Sequence, residues 1–369
     1  MLKRKKLAVI FGGRSGEHVV SLRSAASVME AVDQEKYEII AVGITRQGAW
    51  ITGPDAWLAL WEQRDYREAQ PAALLADPEK PGLLIQGDIS PNEWLYQPLD
   101  IVFPVLHGTY GEDGSIQGLM EMAGLPYVGS GVLGSSTGMD KVMMKQLFQH
   151  NGLLQASYLY FCRNQWLGDQ ASWQSSVENE LGFPCFVKPA NLGSSVGISK
   201  VQSAEKFPAA VEEALLYDDK VIIEEFVKGR EIECAVIGDL EAQASLPGEI
   251  LPCNEFYDYN AKYIDDRSGL VIPVQLGEDL EKEVKELSVK AFKAIEASGL
   301  ARVDFFLNQD EEALYINEIN TMPGFTSISM FPKLWEASGV SYKDLINKLL
   351  DLAEERFRRR RDLMVAPPE

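Results

Sequence analysis

Short apolar runs that end in glycine-rich or polar loops are the feature that most constrains the fold of this chain. One such run covers residues 7–11 and is followed by a helical pattern at about 21–32. Further apolar runs cover 37–45 and 100–108, and a second helical pattern covers 115–123. Continuous apolar strands that alternate with helices are typical of a parallel sheet buried on both faces. The sequence therefore predicts an α/β fold at this end of the chain.

Changes in composition divide the rest of the chain. Residues 50–97 are rich in Pro, Trp and Asp, which predicts an insertion of loops and short helices. Glycine and serine become frequent around 129–138, which predicts a domain boundary, and a new set of strands begins near Gly229. We therefore expect three domains, at 1–138, 139–228 and 229–369, the last with an aromatic and charged loop at 254–269.

The second and third parts mix helices with strands, which predicts α+β units. The predicted helices are 141–150, 172–181, 204–216, 280–298 and a terminal helix, and the predicted strands are 157–161, 184–189, 198–201, 220–227, 301–307 and 313–320. The segment "NQDEE" separates the last two strands and is a turn region, so these strands are predicted to pair as a hairpin.

Charge and cysteine usage exclude several classes of protein. The chain has 35 Lys plus Arg against 55 Asp plus Glu, a net charge of −20, which disfavours nucleic acid as a partner. The arginines of 356–361 close a helical pattern, where cations suit the helix end, and a nucleic-acid patch is the alternative. The four cysteines lack CxxC spacing, which favours free thiols in a reducing compartment.

No apolar stretch reaches the roughly 20 residues that a membrane helix needs. The apolar run at 7–11 is also too short for the core of a signal peptide. We therefore expect a cytoplasmic protein without a membrane partner.

The segment "GSGVLG" contains Gly129, Gly131 and Gly134 and matches the pattern G-x-G-x-x-G of dinucleotide-binding loops. That pattern requires an acidic residue about 20 residues later, at the end of a second strand. A basic amphipathic helix follows here instead. We interpret the glycines as a hinge between domains, with an NAD-dependent dehydrogenase as the alternative.

Two polar, glycine-rich loops leave strands of the predicted parallel sheet. "GGRSGEH" carries Glu17 and His18, and "HGTYGEDG" begins at His107. Ligands of open α/β sheets bind at the carboxyl ends of the strands, so both loops are candidates for a substrate site. The alternatives are a solvated loop with Ser21 as a helix N-cap, and acidic residues that start the next helix favourably.

The stretch "KPANLGSSVG" follows the apolar run "FPCFV", so Lys188 closes a buried strand. Phe186 and Lys188 share a face of that strand, where an aromatic ring can stack on a base while the ammonium reaches phosphate. Glycines allow backbone N–H groups of the following turn to approach an anion. An ordinary Gly-Ser hairpin turn is the alternative.

Carboxylates also interrupt apolar strands further on. Glu224 and Glu225 lie in "KVIIEEFVKGREIE", which leads to Glu231, and buried carboxylates need partners. An adenine amine and ribose hydroxyls are suitable partners. Salt bridges to Lys228 and Arg230 are the alternative.

The hairpin of "RVDFFL" and "INEIN" has the most specific geometry. Arg302 and Asp304 share a face of the first strand, and Glu318 and Asn320 share a face of the second. If the strands pair, the Asp, Glu and Asn oxygens lie together, and Mg²⁺ prefers a few hard oxygen ligands besides substrate phosphates. A polar solvent face is the alternative.

Together, Lys141, "FVKPA", "GSSVG", "IIEEFV", "RVDFF" and "INEINTMPG" resemble the ATP-grasp superfamily. With "GGRSGEHVVS", "HGTYGEDG" and "FYDYNAKY" the chain resembles the D-alanine–D-alanine ligase family over nearly its whole length. The resemblance implies an ATP-grasp fold, namely an N-terminal Rossmann-like domain and two α+β domains that clamp ATP. It also implies ATP-dependent synthesis of D-alanyl-D-alanine for peptidoglycan through an acyl phosphate, and a homodimer formed through the first domain.

The resemblance assigns roles on the nucleotide side. Lys141 and Lys188 neutralise phosphates, the backbone of Ser195 contacts phosphate, and Lys262 contributes from the loop. The adenine and ribose are held by Phe186, Ile198, Phe306, Glu224, Phe226, Val227 and Glu231. Two Mg²⁺ ions, for which Mn²⁺ is a possible substitute, are bound by Asp304, Glu318 and Asn320.

The resemblance also assigns the substrate side. Glu17 binds the ammonium of the first D-alanine, His107 lies in the same site, and Arg302 with the backbone N–H of Gly324 stabilises the oxyanion. Ser194 and Tyr263 link to Glu17 and close the site, with 254–269 as a lid. The carboxylate of the second D-alanine is held by Lys262 and Ser329, beside Met330.

The sequence departs from the family at two positions, since Gly16 replaces the usual Ser or Ala and Val19 replaces a common acidic residue. D-Ala-D-lactate or D-Ala-D-Ser ligation is the nearest alternative, and the lid tyrosine Tyr263 favours an amine nucleophile. A non-catalytic nucleotide-binding regulator is a further alternative, which has no need of Arg302, Glu17 and the metal ligands.

Overall fold

The structure is a computed structural model that describes residues 3–63, 69–87, 92–194, 196–251, 269–308, 310–326 and 328–363. Its first sheet has the order β6-β5-β4-β3-β2-β1-β7. Only β1 pairs in parallel, with β2 and β7, and the other pairs are antiparallel. The strands are β1 (Lys5–Gly12), β2 (Tyr37–Ile44), β3 (Trp50–Thr52), β4 (Gln70–Leu74), β5 (Gly82–Gln86), β6 (Trp94–Pro98) and β7 (Ile101–Pro104).

Helices cover both faces of the parallel strands. The helices of this part are α1 (His18–Ala31), α2 (Ala56–Trp61) and α3 (Ser115–Met122). Leu7, Val9 and Phe11 of β1 pack in one cluster with α1 and α2, and Ala8 and Ile10 pack in another with α3. The alternation of β1 side chains between two apolar layers explains why its sequence is a continuous apolar run.

The prediction of loops and short helices for residues 50–97 was wrong, because most of the described elements there are strands. The structure forms β3, β4, β5 and β6 there, with α2 as the one short helix among the described residues of that segment. These strands have three to five residues, and two of them contain proline. Strands this short show no clear two-residue period of apolar side chains. The prolines and other turn residues therefore led to a prediction of loops.

The second sheet is antiparallel, with the order β10-β9-β11-β8. One face packs against helices through Phe161, Trp166 and Phe207, and the other face, which carries Ile222, packs against Val142. The elements are α4 (Val132–Met139), α5 (Lys141–His150), β8 (Tyr158–Cys162), α6 (Arg163–Gly168), α7 (Gln170–Glu180), β9 (Cys185–Pro189), β10 (Ser199–Val201), α8 (Phe207–Ala214) and β11 (Lys220–Glu225). The predicted helix at 204–216 is a 3-10 turn followed by α8.

The third sheet has the order β15-β14-β12-β16-β17, with β13 paired to β12. Its strands are β12 (Arg230–Gly238), β13 (Ala242–Ala244), β14 (Gly248–Leu251), β15 (Gly269–Val271), β16 (Gly299–Asn308) and β17 (Ala313–Asn320). The helix α9 (Glu278–Ala294) covers one face through Val284 and Phe292. The predicted hairpin is confirmed, since β16 and β17 pair antiparallel.

The last two helices are α10 (Met330–Ala337) and α11 (Tyr342–Arg361). α11 returns to the first sheet, where Leu345 and Leu349 share a cluster with Leu7. The predicted helical pattern of the arginine run is present, but Arg356 is buried and donates to the backbone oxygens of Tyr127 and Gly129. This arginine therefore fixes α11 to the segment that follows the first sheet.

The glycines of "GSGVLG" serve close packing where we predicted a hinge. Gly131 is the N-cap of α4, and a Cβ at Gly134 would lie 2.6 Å from the carbonyl oxygen of Glu296. Gly129 and Gly299 approach each other so closely that a Cβ on Gly299 would lie 3.1 Å from the Gly129 nitrogen. These glycines therefore allow the segment after the first sheet to pack closely against the residues around Glu296 and Gly299.

Each sheet lies inside one of the three predicted domains, whose exact boundaries stay predictions. Among the described residues, no helix is both long and apolar enough to cross a membrane.

Candidate active site

A cleft of about 430 Å³ lies where segments from the three sheets meet. It is bordered by the loop after β1, the loop after β9, the inner face of the β16–β17 hairpin and the start of α10. Its lining includes ten of the predicted site residues, namely Glu17, His107, Lys141, Ser194, Arg302, Glu318, Asn320, Gly324, Ser329 and Met330. Residues that are far apart in sequence therefore share one cleft.

Glu17 joins the first sheet to the glycine-serine loop. It occupies the N-cap position of α1 and is only 7% exposed. The hydroxyl of Ser194 donates a hydrogen bond to the Glu17 carboxylate. Ser194 has a φ of 51°, a left-handed conformation that is uncommon for residues with a side chain. The loop therefore adopts a constrained shape at its contact with Glu17.

Ser21 does not cap α1, which begins at His18. Its buried hydroxyl accepts from the nitrogen of Gly12 at 2.8 Å and donates to the oxygen of Val105 at 2.5 Å. Ser21 thus ties the end of β1 to the segment after β7, and positions the loop that carries Glu17.

His107 borders the cleft with both ring nitrogens occupied. Nδ1 lies 2.9 Å from the oxygen of Met322, and Nε2 lies 3.0 Å from Oγ of Ser24. Because a carbonyl only accepts, Nδ1 donates and Nε2 accepts from Ser24. Burial lowers the pKa of His107 to about 4, so the ring is neutral at pH 7. The imidazole thus connects the first sheet to the segment after β17, and leaves no ring nitrogen for a substrate.

Glu112 is a cleft residue for which the sequence suggested only a role in starting a helix. It is 7% exposed and accepts a hydrogen bond of 2.5 Å from the nitrogen of Gly108. Burial and the neighbouring Glu17 carboxylate raise the pKa of Glu112 well above its usual range. Two carboxyl groups therefore lie close together at this end of the cleft.

Arg302 lies between carboxylates on the floor of the cleft. Its guanidinium donates two hydrogen bonds of 2.7 Å to Asp304 and lies 3.0 Å from Glu233. Burial opposes the charge, but Asp304 and Glu233 raise the pKa of Arg302 well above its usual range. A fixed cation is thus available for an anion in the cleft. Glu233, from β12, was not predicted.

The hairpin brings together the candidate metal ligands. Asp304 pairs with Glu318 and Arg302 pairs with Asn320 across β16 and β17, so all four share one face. The register shifts by one residue between Asp304 and Phe305, and Asn317 is the extra residue of this bulge. Bulges bend a strand and turn its side chains next to active sites.

These donors fit a magnesium site that substrate phosphates complete. Two carboxylates and an amide are hard oxygen donors, and Mg²⁺ commonly takes one or two carboxylates and fills its other positions with water and phosphate. Asn320 also accepts from the nitrogen of Met322 at 2.9 Å, which fixes its amide. No set of three His, Cys, Asp or Glu side chains converges within the described ranges, so protein atoms alone do not form a complete metal cage.

A second group of predicted residues lies on the face of the second sheet that α5 covers. Lys188 donates to Glu224 at 2.7 Å, and its ammonium lies 5.6 Å from the ring centre of Phe186. The rings of Phe186 and Phe226 are 6.1 Å apart, and Lys200 lies 4.2 Å from the ring centre of Phe226. Aromatic rings, ammonium groups and a carboxylate thus share one surface.

Glu224 does not use the partners of the salt-bridge alternative. Its carboxylate faces Lys188 and Lys145, while Arg230 pairs with Glu249. Lys141 continues this basic group towards the cleft, because its ammonium donates to the oxygen of Leu192 at 2.7 Å. The aspartate before it, Asp140, caps α5 by accepting from two backbone nitrogens, which places Lys141 in the first helical turn.

Other described residues that the sequence predicted to bind the nucleotide do not line the cleft. Glu231 lies opposite Phe306 across β12 and β16. Ile198 lies just before β10, and Val227 lies between β11 and β12. These four residues do not line the cleft. Ser195, Lys262 and Tyr263 lie outside the described residues, as does most of the predicted lid.

The entrance to α10 forms another wall of the cleft. Ser329 is the N-cap residue of α10, and its Oγ accepts from the nitrogen of Thr326 at 3.0 Å. A Cβ at Gly324 would lie 2.8 Å from that same Oγ, so only glycine fits there without displacement. Helix N-termini favour anions, which makes this wall suitable for a carboxylate. Lys333, which was not predicted, also lines the cleft.

Comparison with known proteins agrees with this arrangement. The family model described as D-ala D-ala ligase N-terminus matches residues 6–130, and the one described as D-ala D-ala ligase C-terminus matches 147–351. The D-alanine–D-alanine ligase of Natranaerobius thermophilus is 49% identical, covering 95% of each chain. That of Heliobacterium modesticaldum is 48% identical, covering 97% of this chain and 96% of its own.

Solved structures agree as well. The D-alanine–D-alanine ligase of Coxiella burnetii superposes with a TM-score of 0.83 at 34% identity, covering 97% of this chain and 96% of its own. The VanG D-Ala:D-Ser ligase of Enterococcus faecalis superposes with a TM-score of 0.84 at 36% identity, covering 95% of this chain and 100% of its own. The chain therefore belongs to the D-alanine–D-alanine ligase family, whose members are ATP-dependent ligases.

Proposed function

We propose that this chain uses ATP to join two D-alanine molecules into D-alanyl-D-alanine, for peptidoglycan synthesis. The observation that carries the proposal is the convergence of three segments on one cleft. Glu17 follows β1, Ser194 follows β9, and Arg302 lies on β16. Each of the three sheets, or the loop that follows one of its strands, thus contributes a group to the site.

The nucleotide lies against the second sheet in this proposal. Phe186, Ile198 and Phe306 enclose the faces of adenine, and the backbone of Phe226 and Val227 meets its edge. Glu224 accepts a hydrogen from the adenine amino group, and Glu231 holds the ribose. Lys141 and Lys188 meet the phosphates. Lys141 lines the cleft, and the ammonium of Lys188 lies 5.6 Å from the ring centre of Phe186.

The first step transfers the γ-phosphoryl group to the carboxylate of the first D-alanine. A carboxylate is a poor acyl donor, and the mixed anhydride gives it a leaving group. Asp304, Glu318 and Asn320 would hold Mg²⁺, which neutralises charge on the phosphates when it is bound. Glu17 anchors the ammonium of this D-alanine, and Ser194 holds the loop over it. Glu112 lies beside Glu17 at that end of the cleft, where burial and the Glu17 carboxylate raise its pKa well above its usual range.

The second step forms the peptide bond. The amine of the second D-alanine attacks the acyl carbon and loses a proton, the C–N bond forms, and inorganic phosphate leaves. Arg302 and the backbone N–H of Gly324 stabilise the oxyanion of the tetrahedral intermediate. One such donor is typically worth about 3–4 kcal/mol. Ser329 at the N-terminus of α10 receives the carboxylate of the second D-alanine, beside Met330, and Lys262 and Tyr263 complete the site.

The test is phosphate release from ATP and Mg²⁺ with and without D-alanine, with the product identified by mass spectrometry. We expect release that depends on D-alanine and a dipeptide product. Arg302→Met should abolish it, while Arg358→Met, on an exposed position of α11, should not. Release that ignores D-alanine would overturn the proposal, and binding of ATP without release would support the regulator alternative. Release that requires D-serine or D-lactate would assign the chain to the neighbouring activities.

The choice of an amine as the second nucleophile is inferred from the sequence, because the predicted lid contains Tyr263. Tyr263→Phe is expected to loosen the preference for D-alanine as the second substrate. An unchanged ratio of dipeptide to depsipeptide would contradict the assignment of Tyr263 to a lid that selects the second substrate.

We also infer a cytoplasmic enzyme that acts as a homodimer through its first domain. The free thiols of Cys162, Cys185 and Cys234 suit a reducing compartment. Sedimentation equilibrium checks the dimer.

A further inference from the structure

Lys145 is a buried cation that the proposed mechanism does not use. It lies on α5, one helical turn after Lys141, and is 0% exposed. Its nearest acidic atom is Oε1 of Glu224 at 3.6 Å, which is longer than a hydrogen bond. Among the described residues its ammonium has no hydrogen-bond acceptor. A lysine held in this way is costly unless its charge serves another group.

Charged and titratable groups face Lys145 from every neighbouring element. Glu224 faces it from β11, Lys188 from β9 and Glu318 from β17. The ring of Tyr158, on β8, lies 5.9 Å from the ammonium. Glu224 is the nearest of the acidic groups, so the field of Lys145 acts mainly on that carboxylate.

The carboxylate of Glu224 lies between two lysines. Oε2 is 2.7 Å from the ammonium of Lys188, and Oε1 is 3.6 Å from that of Lys145. Burial opposes ionisation, but Lys145 and Lys188 lower the pKa of Glu224 to about 2, with a smaller contribution from Lys141. Each oxygen thus has its own cation.

The two lysines differ in what ATP does to them. In the proposed function Lys188 neutralises phosphate, so its charge would be shared between Glu224 and the phosphates of bound ATP. Lys145 is enclosed by α5 and the sheet and has no phosphate to meet. It is then the cation that remains for Glu224.

We propose that Lys145 is a positioning residue that makes the site selective for adenine, because it keeps Glu224 ionised and oriented while Lys188 binds phosphate. The proposal rests on the proposed function, in which Glu224 accepts a hydrogen from the adenine amino group. An ionised carboxylate accepts from an amino group and repels a carbonyl. A protonated carboxyl can donate to a carbonyl, so loss of Lys145 allows a 6-oxopurine to enter.

The test compares kcat/KM for ATP and ITP between pH 6 and 9, in the presence of Mg²⁺ and D-alanine. Hypoxanthine carries a carbonyl where adenine carries the amine. The wild-type enzyme is expected to prefer ATP by at least about 100-fold, at every pH, since sites built around a hydrogen bond strongly reject analogues that lack it. In Lys145→Met the preference should fall to about tenfold or less at pH 6 and recover as the pH rises.

Glu224→Gln is the matched control. Its amide does not titrate, so its ATP/ITP ratio should be low and independent of pH. Adding Lys145→Met to Glu224→Gln should leave the ratio unchanged, because Lys145 acts through the carboxylate. A merely structural role would instead lower kcat/KM for both nucleotides and would add to Glu224→Gln. The KM for D-alanine should be unchanged throughout.

Lys145→Gln is made in parallel, since its amide fills the space and keeps a polar group beside Glu224 if Met prevents folding. It should show the same pH-dependent loss of preference. If either folded Lys145 variant keeps the wild-type ratio of kcat/KM for ATP and ITP, the assignment of Lys145 as a positioning residue is overturned. If the wild-type enzyme makes dipeptide equally well with ATP and with ITP, recognition of adenine by Glu224 is overturned. If no turnover depends on D-alanine, the proposed function itself is overturned.

Discussion

Replacing Arg356 by methionine should destabilise the protein without touching the active site. The guanidinium is 8% exposed and donates to Oγ of Ser298 at 2.5 Å, to the oxygen of Tyr127 at 3.1 Å and to the oxygen of Gly129. It also lies 4.4 Å from the ring centre of Tyr127. The substitution therefore leaves two carbonyl groups and a hydroxyl without this donor in a dry contact.

The magnitude follows from these contacts. Each orphaned polar group costs about 1–3 kcal/mol, and the lost cation–π contact adds about 1 kcal/mol. Removal of a buried charge returns several kcal/mol of desolvation free energy, so the net loss is about 3 kcal/mol. With an unfolding entropy of about 2.1 cal/mol/K per residue over 369 residues, the melting temperature falls by about 4 °C.

Differential scanning calorimetry of Arg356→Met and Arg358→Met measures this difference. Arg358 is on the same helix but is exposed, so its replacement should change the melting temperature by less than about 1 °C. Arg356→Lys keeps the charge but lacks the planar guanidinium, so its melting temperature should lie between those of Arg356→Met and Arg358→Met. Equal melting temperatures for the two methionine variants would refute the view that Arg356 fixes α11 to the first domain.

Three further predictions concern the cleft. Because unfolded His107 has a pKa of 6.5 and the folded ring protonates only at about 4, the free energy of unfolding should fall between about pH 6.5 and 4 by about 3 kcal/mol; His107→Asn should flatten this slope in urea titrations. Gly324→Ala should cost about 1–3 kcal/mol of stability because its Cβ meets Oγ of Ser329, and thermal melts should show a smaller cost in a Ser329→Ala background. Asp304→Asn should raise the Mg²⁺ concentration for half-maximal activity by about tenfold or more, whereas Asp310→Asn in the exposed hairpin turn should not alter that metal titration.

Charged residues on apolar strands made much of the site predictable. Lys188 and Arg302 stand out because their neighbours are apolar, and buried charges need partners or ligands. The two-residue period then placed Asp304 beside Glu318, as the hairpin register shows. Such patterns are local, so a single sequence reveals them.

Residues whose role depends on packing between distant segments were not predicted. Lys145 sits on an amphipathic helix, where a lysine ordinarily faces solvent, and its burial arises only when α5 docks on the second sheet. Glu112 resembles a helix-start residue until the β1 loop places Glu17 beside it. The bulge at Asn317 is visible only in the pairing of β17 with β16, because the two-residue period of side chains predicts an unbroken register.

The return of α11 to the first sheet has a consequence for synthesis on the ribosome. Leu345, Leu349 and Ala353 pack in the same cluster as one apolar face of β1, together with α1 and α2, and they are translated more than 300 residues after β1. The first sheet and its helices α1 and α2 are made early, but the cluster lacks its contribution from α11 until that helix emerges. Contacts between such distant residues form slowly, and exposed apolar faces promote aggregation in the meantime. The packing of the first sheet is therefore completed only after the other two sheets have been translated.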